Sequence, residues 1–198
     1  MNDRRHKSSI SLWIILATIL TGSFSGGTGE MALPVEDQIP LMLKILSYDK
    51  SLMAHPDSIV VGVLYQDRFR QSLVTKDKAV DILNTFTTLS GHSLITVPVS
   101  IDNSIPFSQE LKEKHVSVLY VTPLRSYSLS NITEFSRTEQ IVTLTGVPQY
   151  LKSGLSVSLD SKGGKPHILI NLNASLIEGA RFHSQLLKLA QIIDSSDG

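Results

Sequence analysis

Apolar residues recur along this chain in two alternating rhythms. From Pro34 to about Ala54, Ile39, Leu41, Met42, Leu43, Ile45, Leu46, Leu52 and Met53 fall at helical spacing, with Pro40 near the start, where a proline is tolerated. Ser58 to Tyr65 (SIVVGVLY) is instead a near-continuous run rich in β-branched residues, the pattern of a strand buried on both faces. After a polar turn, Ser72 to Leu89 returns to a helical stripe carried by Leu73, Val74, Ala79, Ile82, Leu83, Phe86 and Leu89, and Gly91 ends it. The cycle then repeats. Leu94–Val99 predicts a second strand, Pro106–Lys114 a short charged helix and His115–Thr122 a third buried strand. Leu129–Thr138 predicts a helix, and Ile141–Leu144 a fourth strand ending at Thr145-Gly146. Strands that alternate with helices imply βαβ units and a largely parallel sheet.

The last third changes rhythm. Leu155–Leu159 and His167–Leu172 flank Ser161-Lys162-Gly163-Gly164, and two short β runs around Gly-Gly predict a hairpin. That hairpin adds an antiparallel part to the parallel sheet. Ala174 to Ile193 predicts a closing helical region with Leu176, Ile177, Leu186, Leu187, Leu189, Ile192 and Ile193 on its apolar side and Gly179 placed to break it in two. The expected fold class is α/β: a three-layer sandwich with a mostly parallel sheet of about six strands and an antiparallel C-terminal hairpin.

The first residues follow neither rhythm. Arg4, Arg5, His6 and Lys7 are basic, Ile10 to Leu20 is apolar, and Thr21 to Gly29 is small, with Ser23 and Ser25 in an A-x-A-like exit. Basic, apolar and small in that order is a secretory signal peptide. The apolar run is shorter than the roughly 20 residues that span a bilayer. Residues 1–25 are therefore expected to be a signal peptide cleaved near Ser25, and 26–198 a single exported domain. No Cys stands at the exit, which excludes a lipoprotein.

Composition narrows the class further. With 41% hydrophobic and 6% aromatic residues the chain is ordinary globular material. The whole chain balances 18 basic against 18 acidic residues, and removing the leader leaves 15 and 17, a net of −2. That charge offers no footprint for nucleic acid or anionic lipid. There are no cysteines, so disulfides, thiolate chemistry and Cys-based metal sites are absent. An exported domain of this size can rest on its core alone, a pattern that points to a bacterial periplasm.

Motifs that would announce an enzyme are missing. The turn after the first strand, Tyr65-Gln66-Asp67-Arg68-Phe69, carries no Gly to let backbone approach a phosphate. Gly154-Leu155-Ser156-Val157-Ser158 lacks the second Gly of a nucleophile elbow. The six histidines are scattered and no pair has zinc-helix spacing, so neither cofactor nor metal is expected. A weaker constellation remains. In open parallel sheets ligands bind beyond the carboxyl ends of the strands, where strand order reverses. Three turns should converge there: Tyr65, Gln66 and Arg68; Thr122, Pro123 and Arg125; Thr145, Gly146, Val147, Pro148 and Tyr150. Their arginines, hydroxyls and phenols suit an anionic or polar group. Leu124, Tyr127 and Leu129 beside them are expected to be exposed apolar contacts for a partner. The plainer account is that these are turn residues with solvated arginines.

The stretch from Gly164-Lys165-Pro166-His167-Ile168-Leu169-Ile170-Asn171-Leu172-Asn173 through Ser184-Gln185-Leu186-Leu187-Lys188-Leu189-Ala190 resembles the end of the YfiR-like (YfiR/HmsC) periplasmic proteins. Ile39-Pro40-Leu41-Met42-Leu43-Lys44-Ile45-Leu46 is similar to their first helix, and the middle resembles them in element order more than in residues. The resemblance implies a non-enzymatic periplasmic regulator that binds a membrane sensor, notably the sensor domain of a diguanylate cyclase, and often forms a homodimer. Lacking Cys, this chain departs from the best-known members and has none of their disulfides. A binding regulator of a membrane signalling protein (a cyclase or sensor kinase) is thus the first expectation. The alternative is a small-molecule component holding an anionic ligand in a pocket joining Arg68, Arg125 and Tyr150. An enzyme would need a convergent acid/base or nucleophile pair, which the sequence does not offer.

Overall fold

The SIVVGVLY run is strand β1 (Ser58–Tyr65), and it takes the middle of the sheet. The computed structural model describes residues 30–54 and 58–193, so the expected signal peptide and its cleavage near Ser25 lie outside the described residues. On one side β1 pairs in parallel with β3 (His92–Ser100), and on the other with β4 (Val118–Val121). Strands β5 (Val142–Thr145) and β6 (Val157–Lys162) continue the parallel series beyond β4. Then β7 (Lys165–Asn171) returns antiparallel to β6. The turn between them is Gly163-Gly164, with φ of +59 and +73, the left-handed values a two-residue hairpin turn requires.

Two short strands finish the edges. The first, β2 (Thr88–Leu89), runs antiparallel to β3, and the other, β8 (Gln191–Ile193), runs parallel to β7. The order is β2-β3-β1-β4-β5-β6-β7-β8, eight strands where the sequence predicts about six. The additions are two and three residues long, too short to carry a period of two. Successive parallel strands add first to one side of β1 and then to the other, so the order reverses between β1 and β4.

Helices cover both faces, giving the three layers. Ile59, Val61 and Val63 of β1 meet α1 (Val35–Leu46), α3 (Arg70–Leu83) and Leu186 of α7 (Ser184–Leu189) in one apolar cluster. Val60 and Leu64 point the other way, to α4 (Phe107–Glu113) and α5 (Leu129–Glu139), through Leu111, Ile132 and Phe135. Gly62 shares that second face. A Cβ there would stand 2.9 Å from Val116 Cγ1 and 3.0 Å from Leu111 Cδ2, so the glycine is what lets this layer seat closely.

Several predicted helices change shape. The first is two: α1 ends at Ser47, and α2 (Lys50–Met53) restarts with the Asp49 carboxyl accepting from Ser51 N at 2.9 Å. The same oxygen accepts from Arg181 N at 2.9 Å, while Lys50 N donates to Arg181 O and His183 N to Tyr48 O. The break is thus where the C-terminal segment crosses. Pro40 lies inside α1, with its ring exposed, rather than in the first turn. Helix α3 ends at Leu83, so Phe86 and Leu89 fall beyond it. The closing region is α6 (Leu172–Ile177), α7 and β8; Ala190 turns extended, and Ile192 and Ile193 pair with Ile170 and Asn171 instead of extending a helix.

Candidate functional site

The three turns do converge, because β1, β4 and β5 are adjacent and parallel. Their carboxyl ends form a continuous hydrogen-bonded rim. Gln66 N donates to Ser72 Oγ at 2.8 Å, Ser72 Oγ and Thr122 Oγ1 are 2.6 Å apart, and Thr122 Oγ1 donates to Leu64 O at 3.0 Å. Each hydroxyl has one proton. With Thr122 donating to Leu64, Ser72 must donate to Thr122. Gln66 Oε1 accepts from Arg125 N at 3.0 Å, and Arg68 N donates to Asp102 Oδ2 at 3.0 Å. Ser100 Oγ at the end of β3 donates to Asp67 Oδ2, extending the rim across four strands.

This geometry sorts the candidates by exposure. Thr122 and Thr145 are fully buried, and the Thr145 hydroxyl donates to Val121 O at 2.9 Å and accepts from Val147 N. Tyr150 is buried on a 3₁₀ turn, Pro148–Leu151, and its phenol both accepts from Leu124 N and donates to Leu124 O. Burial raises the Tyr150 phenol above its usual pKa, against the lowering effect of that backbone contact. Arg68 and Arg125 project into solvent. Tyr65 is half-buried under Lys76, whose Nζ lies 5.0 Å from the ring centroid, and burial followed by Asp67 raises its phenol. Tyr127 is half-buried against the α4–α5 core. Leu124, expected to be exposed, is buried, and Leu129 is half-buried against the same core, because the chain folds back under Tyr150.

At the opposite end of the sheet a cleft of about 760 Å³ opens beside the amino ends of β1, β4 and β5. Its wall holds residues the sequence reading missed. His115 and Gln140 follow α4 and α5 in left-handed backbone, φ +52 and +54, and are exposed there. Glu178 is fully buried and caged. Ser136 Oγ donates to Oε1 at 2.8 Å, Thr143 N to Oε2 at 2.8 Å, and the hydroxyls of Thr143 and Ser156 complete the set. Burial raises its pKa and outweighs these donors, which lower it. Asp49 is fully buried in the same wall; its Oδ1 serves three backbone amides, and its Oδ2 has no partner. One signal was available: Glu178 is the single acidic residue in the apolar closing region 174–193.

The architecture defines a doubly wound α/β domain with a closed rim at one end of its parallel strands and an open cleft at the other. A conserved domain protein of Vibrio cholerae shares this fold at 15% identity and a TM-score of 0.55, over 80% of this chain and 60% of that one. So does an ABC domain of Streptococcus pneumoniae solved in complex with L-Trp, at 14% identity and a TM-score of 0.52, over 81% and 60%. The chain therefore spans about 60% of the length of each of these two structures. Among curated protein sequences none matches significantly. A profile of the YfiR/HmsC-like family matches residues 53–191, and the chain belongs to that family. Among the described residues no helix is long and apolar enough to cross a membrane.

Proposed function

We propose that this chain is a non-enzymatic periplasmic regulator that binds the periplasmic part of a membrane signalling protein, a diguanylate cyclase or sensor kinase. It acts by favouring one conformation of that partner over the other. The observation that carries this reading is the family match over residues 53–191. The rim supports it. Thr122, Thr145 and Tyr150 have their hydroxyls engaged on backbone or neighbouring hydroxyls, so they serve as supports. Arg68, Arg125, Tyr65 and Tyr127 then form the contact surface, and Arg and Tyr are the residue types that anchor interfaces. A surface backed by hydrogen-bonded turns loses little freedom on binding, which suits a protein whose output is affinity. The basic, apolar and small order of residues 1–25 supports export with cleavage near Ser25. A homodimer is part of the reading.

Co-purification of the exported chain with membrane diguanylate cyclases and sensor kinases of its own host tests the proposal. The expected result is retention of one such protein and a change in its output when this chain is deleted. Retention no greater than with an unrelated exported domain overturns it.

A further inference from the structure

We infer that the groove between α4 and α5 is a docking site for a basic segment of a partner protein, a helix that presents arginines along one face. The inference does not rest on the regulator reading, and none of the rim residues lines this groove.

Three observations carry it. The first is shape. The groove is open along its length and holds about 580 Å³. Helix α5 lines it from Asn131 to Glu139, a run of about 12 Å at the helical rise. An elongated open groove suits a helix laid along it, whereas small molecules are held in sites that cover most of their surface. The second is an aromatic floor. Phe107 of α4 and Phe135 of α5 meet edge to face, with ring centroids 5.7 Å apart. Phe135 is buried, but Phe107 is only half-buried, so apolar ring surface is left uncovered in the groove. The third is charge. The lining holds one base, Lys112, and three acids, Glu113, Glu134 and Glu139, a net of −2. Lys112 Nζ is taken up by Glu139 Oε1 at 2.7 Å. Glu113 Oε1 accepts from Gln109 Nε2 at 2.8 Å, while its Oε2 and the Glu134 carboxylate meet no donor or cation among the described residues. Both acids are exposed, so an incoming group can reach them. Open carboxylates above aromatic rings are complementary to arginine, whose guanidinium pairs with the one and stacks on the other. The same charge repels acidic partners, and it repels a second copy of the groove, since like acids would face each other.

NMR titration of residues 26–198 at neutral pH tests the inference. The probe is a short capped leucine–alanine helix bearing arginines on one face. Its counterparts carry citrulline, the neutral isostere of arginine, or glutamate at the same positions. Two variants accompany them. Glu113→Gln/Glu134→Gln keeps both side-chain shapes and removes the open charges. Asn131→Arg sets a cation one helical turn before Glu134, where neighbours three apart pair, and leaves the acids in place. All three positions are exposed, so both variants should melt as wild type does. The expected result is saturable shifts of α4 and α5 amides with the arginine helix and none with the glutamate helix. Affinity should fall about tenfold or more for the citrulline helix and for each variant. No saturable shift up to about 1 mM arginine helix overturns the inference. Citrulline binding as tight as arginine overturns the basic occupant in favour of an apolar one. Shifts confined to other elements, or unchanged in both variants, overturn the assignment to this groove. Shifts of α4 and α5 that grow with protein concentration alone overturn it in favour of a second copy.

Discussion

Ser72 on α3 and Thr122 at the end of β4 meet where the strand order reverses, their hydroxyl oxygens 2.6 Å apart and both side chains fully buried. In many doubly wound sheets this point is an open crevice for a ligand. Here the chain Gln66 N to Ser72 to Thr122 to Leu64 O fills it with hydrogen bonds and ties helix, turn and two strands together. Such networks rigidify what they join when every member is satisfied.

Thr122→Val keeps the shape and removes the hydroxyl, leaving Ser72 without its acceptor and Leu64 O without this donor. The expected loss is about 1–3 kcal/mol, a melting shift of several degrees by calorimetry. A melting temperature equal to wild type contradicts the relay.

Tyr150→Phe removes the phenol that serves both backbone groups of Leu124. A loss of about 1–3 kcal/mol is expected, since buried polar atoms are left unpaired. Hydrogen exchange at the Leu124 amide should accelerate more than exchange in β1. Equal acceleration everywhere would place the effect in global stability alone.

Gly146 lies against Gln38 on α1, and a Cβ there would sit 2.1 Å from Gln38 Oε1. Gln38 is itself fixed, donating to Leu33 O at 2.5 Å and accepting from the Tyr120 phenol at 3.1 Å. Gly146→Ala should cost about 1–3 kcal/mol by overpacking. Adding Gln38→Ala frees the space, so the double variant should be less destabilised than the sum of the singles. Additive losses by denaturant titration would show that the two sites do not touch.

Much of this fold is legible in the sequence where a period is long. Ser58–Tyr65 matches β1 end to end, and the Leu129 helix and the Gly163-Gly164 hairpin fall where predicted. What fails has a physical cause. Ile192 and Ile193 continue the apolar spacing of α7, yet the free edge of β7 captures them as a strand. Leu124 looks like an exposed turn residue until Tyr150, 26 residues later, folds over it. The gathering of the three turns was legible because βα turns must collect at one end of a parallel sheet. The amino-end cleft was not, because Asp49, His115, Gln140 and the Glu178–Arg181 stretch come from four separate segments with no shared motif.

Glu178 predicts a pH dependence of defined sign. Its pKa in the fold is raised above the ordinary 4.5, by burial first, with Ser156, Thr143 and Ser136 opposing. The folded state therefore binds the proton more tightly. The associated stability is fully present below the unfolded pKa and is lost as pH rises through the folded one. The other charged groups in the cleft wall are Asp49, His115, Glu139 and Arg181. In urea unfolding, Glu178→Gln should flatten the decline of stability above pH 4.5. A variant that is less stable at neutral pH, with the slope intact, would show that the hydroxyl cage holds an ionised carboxylate comfortably.

The proposed function has this chain work by affinity, through the arginine and tyrosine rim at the carboxyl ends of β1, β4 and β5. Calorimetric titration of residues 26–198 into the periplasmic domain of the cyclase or kinase that co-purifies with this chain tests it most directly, comparing wild type with Arg68→Glu/Arg125→Glu. Both arginines are exposed, so the variant should melt within about 0.5 kcal/mol of wild type. The account predicts saturable binding by wild type and at least about a tenfold loss in the variant. Equal affinity of the two, or no binding heat from either, would contradict it.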